Sequence, residues 1–125
     1  MLEASGNLRV LIADDERIIA NTLALILSAR GFEAQAVYSG EMAIESAVEM
    51  KPDVLICDVI LGGISGIEVA IRVSKLQPAC KVVLLSGQAA TADLLERAEA
   101  EGHRFEILAK PIHPNALLEY LARLK

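Results

Sequence analysis

The chain has 125 residues, of which 54% are hydrophobic, 3% aromatic and 23% charged, and its net charge is -5. That length holds one domain with a real core and excludes two, and with so few aromatics and no Trp the core must be aliphatic. The acidic balance and the lack of any Lys/Arg run speak against direct nucleic-acid binding by this chain, and no stretch approaches the roughly 20 apolar residues of a membrane span.

Residues 1–7 have neither the charge nor the apolar core of a signal peptide, and they read as a loose tail before a domain over 8–125. Leu8–Ala13 (LRVLIA) is a nearly continuous apolar run, as in a strand buried on both faces of a parallel sheet. Glu16–Arg30 has helical periodicity, with Ile19, Leu23, Ile26 and Leu27 on one face and Gly31 as its stop. Ile18 and Leu25 fall off that face. Glu33–Tyr38 (EAQAVY) is weaker and suits a sheet edge. Ser39 is placed to cap a helix over Gly40–Met50, which Pro52 stops. Asp53–Cys57 (DVLIC) is another buried strand, and Ser65-x-x-Glu68 is a capping box opening a helix to about Leu76. Lys81–Leu85 (KVVLL) repeats the buried-strand pattern. Thr91 is placed to cap a helix to about Glu101, with Gly102 after it. Phe105–Ala109 is the last strand, and Pro114 opens a helix bearing Leu117, Leu118, Leu121 and Leu124.

This order is α/β, a (βα)5 unit: a single doubly wound parallel sheet of flavodoxin-like type, with expected strand order 2-1-3-4-5. Cys57 and Cys80 lie in or beside apolar runs, and neither they nor His103 and His113 fall at metal-ligand spacing. Buried thiols in a reducing compartment are the expectation, which makes the protein cytoplasmic.

In such sheets ligands sit outside the carboxyl ends of the strands, at the crevice where strand order reverses. After the first run come Asp14, Asp15 and Glu16; after the third, Asp58; after the fourth, Ser86 and Gly87; after the fifth, Lys110 and Pro111. With the first and third strands adjacent, Asp14, Asp15 and Asp58 converge. Converging carboxylates raise one another's pKa unless a cation is present, and a hard divalent ion, Mg2+ above others, suits them. Lys110 and Ser86 suit the oxygens of a phosphoryl group, and a carboxylate held beside them can accept one. Singly, each residue has an ordinary explanation; Asp15, for instance, also suits a cap of the first helix. Together, at four strand ends on one edge, they do not.

VLIADDE at 10–16, DVLICDVILGGISGIEV at 53–69, LLSG at 84–87 and LAKP at 108–111 closely resemble the receiver domains of bacterial two-component response regulators. The resemblance spans essentially the whole chain. It implies that Asp58 is the phospho-acceptor and that Mg2+ is bound by Asp15, Asp58 and the carbonyl of Ile60, with Asp14 acting through water. It also implies that Ser86 and Lys110 contact the phosphoryl group, joined by the backbone N–H of Gly87, and that the Lys110–Pro111 bond is cis. The phosphoryl source it implies is a sensor histidine kinase or a phosphotransfer protein. The response would be a changed face around the fourth helix, fifth strand and fifth helix, read by an output partner or by a second copy in a homodimer.

The chain departs from the family at several points. Gly62 stands where Pro is usual and Ser65 where Asp is frequent, and the segment from Gly102 to Lys110 is one residue longer. Ile107 occupies the usual position of an aromatic switch residue, and spacing assigns that role to neither Ile107 nor Phe105. Ile60 and Gln88 occupy positions that tune dephosphorylation in the family. An apolar Ile60 cannot orient water, so a long-lived aspartyl phosphate is expected. Three rivals remain: a phosphorylation-independent interaction module on the same fold; an FMN-binding enzyme, which Asp-Asp-Glu after the first strand disfavours; and an aspartate-nucleophile phosphatase, for which no cap insertion is present.

Overall fold

The computed structural model describes residues 8–87, 91–103 and 105–124, the side chains of 91–95 excepted. The expectations for the tail at 1–7, for Gln88 and for a Thr91 cap fall outside these. Five strands alternate with five helices: β1 (Arg9–Ala13), α1 (Arg17–Ala29), β2 (Glu33–Val37), α2 (Gly40–Met50), β3 (Val54–Asp58), α3 (Gly66–Leu76), β4 (Lys81–Ser86), α4 (Thr91–Ala100), β5 (Glu106–Ala109) and α5 (Pro114–Leu124). All pairings are parallel, in the order β2-β1-β3-β4-β5. The expected (βα)5 sheet of flavodoxin-like type is therefore what the chain forms.

Successive strand residues point to opposite faces, and this splits the core into two layers. Leu11, Ala13, Leu55, Cys57, Val82 and Leu84 pack with Ala43, Ala47, Val69 and Val73 of α2 and α3. Val10, Ile12, Val54, Ile56, Val83 and Leu85 pack with Leu23 and Leu27 of α1 and with Leu117, Tyr120 and Leu121 of α5. The central strands are thus buried on both faces, whereas the edges are not: β2 and β5 carry exposed or half-buried residues at nearly every position.

Ser39 and Ser65 cap α2 and α3, their hydroxyls accepting from the N–H of Met42 at 3.1 Å and of Glu68 at 3.2 Å. The return half of the capping box does not form, because Glu68 Oε2 pairs with Arg72 Nε at 2.8 Å instead. Asp15, which the sequence leaves open as a cap of α1, does not cap it. The Ncap position of α1 is Glu16, which makes no side-chain cap, and Asp14 Oδ1 accepts the Glu16 N–H at 2.9 Å instead. The helix starts one residue too late for Asp15 to cap it. Both cysteines are buried and unpaired as thiols. Burial, followed by the charges of Asp58 and Asp14, pushes the Cys57 thiol far up; burial also lifts Cys80, to about 11. No described helix is long and apolar enough to cross a membrane.

Candidate functional site

The carboxyl ends of β1, β3, β4 and β5 meet on one edge of the sheet, and register aligns their polar residues. Ser86 ends β4 opposite Ala109, and its carbonyl accepts the Lys110 N–H at 3.1 Å, which carries the chain of β5 into the site. Asp58, the last residue of β3, lies opposite Leu85 and is only 6% exposed. Asp14 follows β1; its N–H donates to the carbonyl of Val37 at 3.1 Å, and its side chain is fully buried. Asp15, one residue on, is exposed.

The centre of the site is an ion pair. Lys110 Nζ lies 2.6 Å from Asp58 Oδ2, while Asp58 Oδ1 accepts the Ile60 N–H at 3.1 Å. Asp14 Oδ2 is 3.6 Å from the same ammonium and Glu16 Oε1 3.9 Å. Burial pulls the Lys110 pKa down, but the hydrogen bond and charge of Asp58, with Asp14 and Glu16, outweigh it, so the ammonium holds its proton more firmly than an ordinary lysine. Asp14 also holds its proton more firmly, for a different reason. Burial, more than the nearby Asp58 and Glu16 charges, lifts its carboxyl above the usual range, against the opposing pull of the Glu16 N–H and Lys110. Mutual repulsion, the cause expected from sequence, is therefore the smaller effect at Asp14.

Two glycines make this approach possible. A Cβ on Gly66 would run into the backbone carbonyl of Asp58, so only Gly lets the start of α3 lie against the end of β3, where its N–H donates to Val59 at 2.8 Å. A Cβ on Gly87 would sit 2.9 Å from Cβ of Lys110, whose stem lies along that glycine. The Lys110–Pro111 peptide bond is cis, as the sequence resemblance implied.

Above the pair opens a cleft of about 540 Å³, lined by Asp15, Glu16, Ile19, Asp58, Ile60, Gly87, Lys110 and Pro111. The sequence-selected residues Asp14, Asp15, Asp58, Ile60, Gly87 and Lys110 are thus gathered in or beneath one cleft, and Ser86 directly precedes Gly87 at the end of β4. Ile107, by contrast, is a partly exposed residue of β5 that does not line the cleft. Phe105 precedes β5 at the opposite end of the strand, packs on the α2/α3 layer and stacks with His103. Neither sits in the cleft. Two cleft residues carry no signal for the site in the sequence: Ile19, whose periodicity puts it on the core face of α1, and Glu16, which stands only as the third of the acidic triplet.

One carboxylate oxygen from each of Asp14, Asp15 and Asp58 can be chosen so that all lie within 4.8 Å of one another. Asp14 Oδ2 is buried without a hydrogen-bond partner. Three hard oxygen donors and an unsatisfied buried anion fit a divalent cation such as Mg2+.

The match to known proteins agrees with this geometry. Residues 10–122 match the family model of the response regulator receiver domain. The chain belongs to that family. This receiver is 29% identical over 118 residues to the DNA-binding response regulator MtrA of Mycobacterium tuberculosis, covering 94% of the present chain and 50% of MtrA. It is 29% identical over 117 residues to the chemotaxis protein CheY of Thermotoga maritima, covering 93% of this chain and 96% of CheY. A response regulator receiver domain structure from Clostridium thermocellum superposes with a TM-score of 0.81 at 26% identity, covering 93% and 92% of the two chains. The receiver thus spans about half of MtrA-type relatives and nearly all of CheY. Receivers act in two-component signalling, where they interact with kinases and output domains; they generally bind Mg2+ at an acidic cluster of the kind present here.

Proposed function

We propose that this receiver is a phospho-accepting switch in which Asp58 takes a phosphoryl group from a phosphohistidine on a sensor histidine kinase or a phosphotransfer protein. The observation that carries the reading is the Lys110 ammonium 2.6 Å from Asp58 Oδ2, at an open cleft lined by Asp15, with the carboxylates of Asp14, Asp15 and Asp58 converging within 4.8 Å. A carboxylate oxygen of Asp58 bonds to phosphorus as the P–N bond breaks, and the imidazole leaves with its electron pair. Lys110 passes from the carboxylate to a phosphoryl oxygen, and the Ser86 hydroxyl and Gly87 N–H add donors. Asp15, Asp58 and the Ile60 carbonyl would hold Mg2+, with Asp14 acting through water. When bound, the ion supplies the positive charge that lets an anionic donor approach these carboxylates.

Phosphorylation adds about -1.5 to -2 charge. Drawing Ser86 and Lys110 toward that charge repacks the chain after β4 and alters the face of α4, β5 and α5. With a coupling of roughly 1–3 kcal/mol, this shifts partner docking or self-association. A DNA-binding output of the kind named for MtrA would be carried by another segment or partner, since this chain is acidic and has no basic run. The chemistry is confined to gaining and losing its own phosphoryl group, and a phosphohistidine donor places the protein in the cytoplasm.

The reading is tested by incubating the receiver with a phosphorylated histidine kinase and Mg2+, then treating the product with hydroxylamine. An acyl phosphate is cleaved by hydroxylamine, and Asp58→Asn should acquire none. A wild-type chain that docks to its partner equally well without ever taking up phosphate would instead be a phosphorylation-independent interaction module.

A further inference from the structure

We infer that Glu16 is a positioning residue that keeps the Lys110 ammonium at the cleft once a cation draws on Asp14 and Asp58. The inference rests on the proposed cation site and on the proposed role of Lys110. Three carboxylates surround Lys110 Nζ, at 2.6 Å (Asp58), 3.6 Å (Asp14) and 3.9 Å (Glu16). The first two belong to the acidic group that converges within 4.8 Å; Glu16 does not. A doubly charged ion among those aspartates competes with the ammonium for their oxygens and also repels it. Glu16 is the neighbouring carboxylate that the ion leaves to Lys110.

The backbone around Glu16 supports this. Its N–H donates to Asp14 Oδ1 at 2.9 Å, and its carbonyl accepts the Ala20 N–H at 3.0 Å, so both sides of the residue are pinned. It occupies the Ncap position of α1, yet its side chain makes no cap. The carboxylate is left to reach across the cleft mouth, from the start of α1 to the end of β5. With 63% of that side chain exposed, the pair is of the weak surface kind, so its effect is modest.

The test is heteronuclear NMR of the Lys110 ammonium in wild type and Glu16→Gln, with and without saturating Mg2+, paired with phosphorylation rates from a small phosphodonor. In wild type the ammonium signal should stay shifted from that of a free lysine after Mg2+ is added. In Glu16→Gln it should collapse toward the free position on adding Mg2+, and phosphorylation should slow by about two- to fivefold. In a Lys110→Met background the same Glu16→Gln change should have no effect on rate. An ammonium signal indifferent to Glu16, or an equal slowing without Lys110, overturns the assignment. A wild type that binds no Mg2+ overturns the cation site itself and this inference with it, and that result is seen before any variant is made.

Discussion

Asp14 is fully buried, its Oδ2 has no hydrogen-bond partner, and burial lifts its pKa. The folded chain therefore binds a proton at Asp14 more readily than the unfolded chain does. The stability this contributes is complete below the ordinary value of 3.8 and is lost as pH rises through the folded value. Above the folded value the ionised group is a load, so Asp14→Asn should stabilise the metal-free protein there and remove that pH dependence. Denaturant titrations across pH check both. Ile60 sits exposed at the cleft with no group to hold a water. Aspartyl phosphate decay should therefore be slow, and Ile60→Gln should speed it by about tenfold, measured as loss of phosphoprotein after donor removal. An unchanged decay rate contradicts that role for Ile60. At this scale the sequence was a good guide to which polar residues meet, because each follows an apolar run. It was silent on the ion pair of Glu16 and on the depth of Asp14, since both depend on how neighbouring strands close over the loop.

The helices α2 and α3 start where their sequence signals place them, because Ser39 and Ser65 are local caps that act within one turn. The start of α1 was misread because its decisive contact, Asp14 Oδ1 to the Glu16 N–H, is formed by a side chain that tertiary packing buries. Tyr120 was missed in the same way: a polar-tipped residue on α5, it is packed with Leu117 and Leu121 in the α1/α5 layer. Ser65→Ala should cost about 1 kcal/mol through loss of the α3 cap. Gly66→Ala should cost more, about 2–3 kcal/mol, because the new Cβ meets the Asp58 backbone carbonyl and either α3 or the end of β3 must move. Unfolding midpoints in urea separate the two, and a Gly66→Ala variant as stable as wild type would contradict the close approach.

For the whole molecule, strand order and the placing of the site at one sheet edge were legible because doubly wound chains confine ligands to that edge. The exposed apolar side chains of α1, Ile18 and Leu25, were also foreseen as lying off the core face. If the acidic cluster holds Mg2+, the ion should stabilise the fold by about 2.7 kcal/mol at a hundredfold excess over its dissociation constant. Asp58→Asn and Asp14→Asn should lose most of that gain. The most direct test of the switch is intact mass after incubation with a small phosphodonor and Mg2+. One HPO3 unit should be added to wild type, none without Mg2+ and none to Asp58→Asn. An adduct of the same size on Asp58→Asn, or no adduct on a folded wild type with either a small donor or a phosphorylated kinase, would contradict Asp58 as the acceptor.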